Sequence, residues 1–127
     1  FQAQAVERVK DELLKRAQNV NGVQVIKAVL PLEPAAAKDL VFKLREIINE
    51  KLVAVIGSTA GNKPLLTVMF SDDMVKDHAL NAGKIIREAA KLIQGGGGGQ
   101  PHYAQAGGKN IEGISAAVDK VIELANL

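Results

Sequence analysis

The chain carries Val-Gln-Val-Ile-Lys-Ala-Val-Leu at residues 23–30 and Leu-Val-Ala-Val-Ile-Gly at residues 52–57. The first stretch is β-branched and apolar, which predicts a strand, and the second is continuously apolar, which indicates a central strand buried on both faces. Between them, apolar residues recur at helical spacing and predict a helix over residues 35–50. A strand, a helix and a second strand in this order predict a parallel pair joined by a right-handed crossover.

Further elements extend this unit on both sides. Residues 65–70 form a strand pattern after a Gly-Asn-Lys-Pro turn, which predicts a hairpin over residues 52–70. Helical spacing of apolar residues predicts three more helices, over residues 2–18, 79–93 and 111–126. We therefore expect an α/β fold, with a small mixed β-sheet and helices packed on it. The first helix is a candidate end of a coiled-coil stalk over residues 1–20, leaving a globular domain over residues 21–127.

The composition restricts the classes of function. The 127 residues suit one domain, and the 3% aromatic content excludes a base-stacking platform for single-stranded nucleic acid. The absence of cysteine excludes disulfides and thiolate metal sites, and it fits an intracellular protein. His78 and His102 are too few for a zinc site, and no apolar run is long enough to span a membrane. No Ser/His/Asp arrangement is present, so we expect no catalytic residue and no metal site.

Five consecutive glycines, Gly95, Gly96, Gly97, Gly98 and Gly99, follow the helix predicted over residues 79–93. Glycine is costly to order, so we expect a loop that uses positive φ angles or a close backbone approach. The run lacks the Gly-Lys-Ser/Thr ending of a P-loop, and it closes a helix, whereas a dinucleotide-binding turn opens one. Three explanations stay open: a flexible linker, close backbone packing, or backbone approach to a ligand.

Positive charge is concentrated around the glycines. Between residues 78 and 109, Lys84, Arg87, Lys91 and Lys109 stand against Glu88 as the single acidic residue. The first three lie three and four residues apart, so they share one helix face. Cations beside an open backbone predict a phosphate-bearing partner, and the alternative is an ordinary solvated helix face.

A family resemblance rests on two motifs. The chain has His-Ala-Leu-Asn-Ala-Gly-Lys at residues 78–84, and Gln-Pro-His-Tyr-Ala-Gln-Ala-Gly-Gly follows the glycine run at residues 100–108. Together they resemble the C-terminal domain of the alanyl-tRNA synthetases, across essentially the whole chain. The resemblance implies a helical stalk that leads into a small α/β domain. It also implies that the chain is part of a larger cytoplasmic ligase.

The same resemblance implies RNA binding without chemistry in this domain. In the family, the domain holds the elbow of the tRNA for alanine and supports aminoacylation and editing by upstream domains. Those domains would use ATP and magnesium, with zinc in the editing domain, and this one would use no cofactor. Two alternatives stay open. One is a dimerisation module that forms a homodimer, and the other is an accessory nucleic-acid-binding domain of a DHH-type phosphoesterase.

The predicted RNA-binding set combines the cations, the glycines and two turn residues. Many family members have Arg directly after the glycines, where this chain has Gln100, which removes a cation from that position. His102 is a candidate for a contact with phosphate or ribose. The full set is Lys84, Arg87, Lys91, Gly95, Gly96, Gly97, Gly98, Gly99, Gln100, His102 and Lys109.

Overall fold

The computed structural model describes residues 2–125, with side chains described from residue 6 onward. The helices are α1 (Gln2–Arg16), α2 (Pro34–Ile47), α3 (Asp72–Asp77), α4 (Ala82–Ala89) and α5 (Ile114–Ala125). The strands are β1 (Gln18–Val20), β2 (Val23–Leu30), β3 (Leu52–Ser58), β4 (Leu65–Phe70), β5 (Gly96–Gly99) and β6 (Tyr103–Gly107). Three single 3₁₀ turns connect them, at Ala60–Asn62, Ala90–Ile93 and Ile111–Gly113.

The six strands form one mixed sheet in the order β1-β2-β3-β4-β6-β5. β2 and β3 are parallel, in register from Gln24 opposite Leu52 to Leu30 opposite Ser58, and every other neighbouring pair is antiparallel. The predicted parallel crossover unit and the predicted hairpin of β3 with β4 are both confirmed. The α/β fold with a small mixed sheet is confirmed as well.

Helices cover both faces of the sheet, and the central strand β3 is therefore buried along its full length. Val53 and Val55 face the core that contains α4 and α5, and Ala54 and Ile56 face the core that contains α1 and α2. Burying one aliphatic side chain of this size contributes about 1.5–3 kcal/mol, so two aliphatic cores can support a domain without tryptophan. The prediction that this strand is buried on both faces is confirmed.

The element boundaries correct several expectations. The helix predicted from residue 79 begins at Ala82, because Ala79 has a left-handed φ of 56° and Asn81 caps the helix through its side chain. The helix predicted to begin at residue 111 starts as a 3₁₀ turn, and its predicted end at Asn126 lies outside the described residues. The prediction missed β1, because its three residues are exposed or half-buried and their sequence shows no apolar alternation typical of a strand.

The N-terminal helix α1 packs against α2, on the same face of the sheet. Val6 and Leu13 of α1 are buried in the same core as Leu40 and Leu44 of α2. The Glu7 carboxylate accepts a hydrogen bond from Lys43 Nζ at 2.9 Å, across the two helices. The continuation of α1 into a stalk stays a prediction. Within residues 2–125, no helix combines the length and the apolar content that crossing a membrane requires.

Candidate nucleic-acid interface

Four of the five glycines, Gly96–Gly99, form the edge strand β5, so the prediction of a loop is wrong for them. β5 pairs antiparallel with β6, from Gly96 opposite Gly107 to Gly99 opposite Ala104. Among the described glycines, only Gly22 and Gly61 have positive φ, so the run does not use left-handed backbone. Pairing with β6 and packing against α4 hold these glycines in a regular strand, although glycine-rich segments often form flexible linkers.

Two of the four glycines of β5, Gly97 and Gly99, lie too close to β6 for a side chain to fit. A Cβ added at Gly97 would lie 2.7 Å from Ala106 Cβ and would also meet the carbonyl oxygen of Gln105. A Cβ at Gly99 would lie 2.9 Å from Ala104 Cβ. Close backbone packing is therefore sufficient to explain alternate glycines of the run.

The other two glycines of β5 face open space or a cation. A Cβ at Gly96 would meet no atom within 4 Å, and one at Gly98 would lie 3.7 Å from Nε of Arg87. The guanidinium of Arg87 thus lies beside the β5 backbone. Since β5 is the last strand of the sheet, its outer edge has no neighbouring strand within the described part of the chain.

α4 is fixed against the hairpin at its first turn. A Cβ at Gly83 would lie 2.9 Å from the carbonyl oxygen of Gly99, so glycine is required where the helix meets the strand. The N–H of Ala82 donates to the carbonyl of Pro101 at 2.8 Å, and the N–H of Lys84 donates to Asn81 Oδ1 at 3.1 Å. These bonds satisfy part of the helix N-terminus and set the register of α4 along β5.

The structure brings only part of the predicted cationic set together. Lys84 and Arg87 are exposed on α4 and form no ion pair with other described residues. Lys91 is exposed too, but its Nζ lies 3.2 Å from the Glu88 carboxylate, which offsets its charge. Lys109 lies at the opposite end of the hairpin from the turn, where its N–H donates to the carbonyl of Ile93 at 2.8 Å.

The turn residues have different environments. Gln100 is exposed, and its N–H donates to the carbonyl of Tyr103 at 2.8 Å, which closes the turn. His102 is half-buried, and its carbonyl accepts from the N–H of Phe70 at 2.8 Å, which extends the pairing of β4 with β6. The His102 backbone therefore has a structural role, and a contact of its ring with RNA stays a prediction.

The sequence reasoning missed Gly83 and Pro101, which join α4 to the hairpin. The signal for the start of this helix was Asn81, a preferred N-cap residue three positions before the N–H that its side chain accepts from. The contact of Gly83 with Gly99 had no such signal, because it depends on the sheet order. Among residues 2–125, no group of three or more His, Asp and Glu side chains could hold a metal ion.

Comparison with known sequences gives a consistent match. The family model described as the DHHA1 domain matches residues 21–127. An alanine–tRNA ligase of Bacteroides fragilis is 55% identical over 119 residues, which cover 94% of this chain and 14% of the ligase. An alanine–tRNA ligase of Porphyromonas gingivalis is 40% identical over 121 residues, with the same shares covered. The chain thus spans a small fraction of the length of these relatives.

Two solved structures share the fold. The C-Ala domain of the Aquifex aeolicus alanyl-tRNA synthetase superposes with a TM-score of 0.75 at 31% identity, covering 87% of this chain and 98% of that one. A DHH domain protein described as a member of the s1p family of ribosomal proteins gives a TM-score of 0.69 at 15% identity, covering 98% of this chain and 31% of that one. The second likeness concerns the fold alone. The chain belongs to the DHHA1 domain family and, within it, to the C-terminal C-Ala domains of alanyl-tRNA synthetases.

Proposed function

We propose that this domain binds tRNA and holds its elbow, which supports aminoacylation and editing by other domains of the same enzyme. The observation that carries the proposal is the pair Lys84 and Arg87, exposed and without ion pairs among the described residues, beside the edge strand β5. Folded RNA is recognised mainly through its shape and its phosphate backbone, which requires cations and backbone donors more than base contacts.

The rigidity of the surface supports this proposal. α4 presents both cations from consecutive turns, and its contact with Gly99 and its bond to Pro101 hold it in one register. A helix that is already held in place needs no backbone ordering when a phosphate backbone binds, so the ordering cost falls on the two side chains alone. Lys91 is a weaker member of the set because Glu88 competes for it.

The experiment measures binding of the 127-residue chain to folded tRNA over a salt series. A tRNA whose D-loop and T-loop corner is disrupted is titrated in parallel. We expect affinity to fall steeply with salt, because cations that bind RNA release its counterions, and we expect weak binding of the disrupted tRNA. Equal binding of both RNAs would contradict elbow recognition, and no binding of either would contradict the proposal as a whole.

A pair of double variants tests the surface itself. Lys84→Gln with Arg87→Gln should weaken tRNA binding and reduce the slope of log affinity against log salt by about 2. Lys15→Gln with Arg16→Gln is the matched control, because it removes the same charge from α1 on the other face of the sheet. Equal losses from both pairs would show a net-charge effect and would contradict the assignment to α4.

The remaining roles follow from the same proposal. The domain would act in the cytoplasm on the tRNA for alanine, and it would need no cofactor of its own. ATP, magnesium and zinc would bind in other domains of the ligase. A second candidate, self-association, is favoured by the outer edge of β5, which pairs with no other strand among residues 2–125. Sedimentation equilibrium of the chain tests it, and a monomer at all concentrations would contradict it.

A further inference from the structure

A cleft of about 640 Å³ lies at the end of the sheet away from the turn between β5 and β6. The parallel strands β2 and β3 end beside it, α2 begins at it, and the open end of the β5–β6 hairpin forms its far wall. Ligands of α/β proteins commonly bind outside the carboxyl ends of parallel strands. The cleft also has the volume of a typical small-molecule site. It is separate from the α4 face proposed to contact the tRNA elbow.

The first observation at this cleft is an unpartnered hydroxyl. Ser58, the last residue of β3, lines the cleft and is only 1% exposed. Its Oγ is the one buried side-chain polar atom without a hydrogen-bond partner among the described residues. Ser58 lies two residues after Ile56 on β3, so both side chains are on the same face of the sheet, the one covered by α2. Buried hydroxyl groups are normally hydrogen-bonded, so this atom has bonding capacity that none of the described residues uses.

The second observation is the start of α2 at the same place. α2 runs for 14 residues from Pro34, and Glu33 at its N-cap makes no side-chain bond to the helix. The N-terminus of a helix attracts anions through its dipole and its free N–H groups, and because Pro34 has no N–H, α2 would act here through its dipole and the N–H groups that follow Pro34. Gln105 holds this end in place, because its Nε2 donates to the Pro34 carbonyl at 3.3 Å and to Thr67 Oγ1 at 3.2 Å.

The charges around the cleft favour an anion. Lys63 and Lys109 both line it, both are exposed, and neither forms an ion pair with another described residue. Glu33 is the single carboxylate in the lining, and it is exposed to solvent. The rest of the lining is largely apolar or glycine, including Pro64 and Leu65.

We propose that this cleft binds one nucleotide, with the phosphate at the start of α2 between Lys63 and Lys109. The hydroxyl of Ser58 would bond to the ligand, and the base would lie against Pro64 and Leu65. The nucleotide comes from one of two sources: a free nucleoside monophosphate, or one residue of a bound RNA.

The experiment titrates AMP into the 127-residue chain and follows backbone amide NMR signals. Adenosine and inorganic phosphate are titrated separately. We expect AMP to shift Ser58, Gly107 and Gly108, and to bind more tightly than either fragment. Absence of saturable shifts up to millimolar AMP would overturn the proposal. So would shifts confined to α4, or phosphate binding as tightly as AMP.

Variants test the residues. Lys63→Gln with Lys109→Gln should weaken AMP binding at least tenfold, and Ser58→Ala should weaken it severalfold without lowering the melting temperature. Lys76→Gln with Lys15→Gln is the matched control, because these exposed lysines lie on α3 and α1 and do not line the cleft. Equal weakening by the control pair, or no effect of the cleft pair, would overturn the assignment.

Added tRNA distinguishes the two sources. Displacement of AMP by tRNA assigns the cleft to a nucleotide of bound RNA, and simultaneous binding assigns it to a free nucleotide. The Lys84 and Arg87 variant should leave AMP binding unchanged. Failure of elbow binding and failure of the cleft are therefore measured separately.

Discussion

Alanine should have opposite effects on stability at two neighbouring glycines: it should destabilise the chain at Gly97 and stabilise it at Gly96. In Gly97→Ala the new methyl carbon would lie 2.6 Å from Ala106 Cα and 2.7 Å from its Cβ. Carbon atoms pack best at about 3.5–4.0 Å, so β5 would have to move by roughly 1 Å. In Gly96→Ala the methyl would meet nothing within 4 Å, and the backbone there has no positive φ.

The magnitudes follow from these contacts. Overpacking typically costs about 1–3 kcal/mol, and the upper end applies at Gly97 because its neighbours are backbone and a buried Ala106 that cannot rotate away. For a domain of this size, about 3 kcal/mol lowers the melting temperature by roughly 10 °C. Gly96→Ala should raise stability by about 0.4–1 kcal/mol, because alanine restricts the unfolded chain at no cost to the fold.

The assay is thermal unfolding of the two variants and the parent chain, followed by circular dichroism. Hydrogen exchange of β5 and β6 shows whether the hairpin opens locally in Gly97→Ala. Equal melting temperatures for the two variants, with equal protection of β6, would refute the argument that alternate glycines are required by close packing.

Two further predictions concern polar contacts. The pKa of Glu7 is lowered to about 2, mainly by the hydrogen bond from Lys10 and then by the one from Lys43. The contribution of Glu7 to stability is therefore present above pH 4.5 and is lost as the pH falls toward 2. NMR titration of the carboxyl group checks this, and a pKa near 4.5 would contradict it. Ser71→Ala should lower the free energy of unfolding by about 1–3 kcal/mol, because it removes the Ser71 Oγ that accepts a hydrogen bond from the buried Leu52 N–H at 2.9 Å. An unchanged midpoint in a denaturant titration would contradict this.

The fold was predictable where periodicity and burial coincide. β3 and β4 show a nearly continuous apolar pattern that matches their burial, and β2 is a largely apolar strand that is buried mainly in its first half. β1 and β5 have no such pattern, since one is a three-residue edge strand and the other is entirely glycine. Their pairing depends on partners elsewhere in the sheet.

The candidate site was predictable only in its residue types. Clustering of cations near the glycines indicated a phosphate partner, and the structure does place Arg87 beside Gly98. The separation of Lys109 from α4 follows from the length of the hairpin, which sequence spacing does not show. The cleft at Ser58 joins three elements distant in sequence, so no local motif indicated it.

We propose that the exposed face of α4 and the adjoining turn between β5 and β6 contact folded tRNA. The most direct measurement is amide NMR of the isotope-labelled chain with and without saturating tRNA. We predict that the perturbed signals include those of Lys84, Arg87 and Gln100, with little change on α1. Perturbation centred on α1 and α2, with α4 unchanged, would contradict the account.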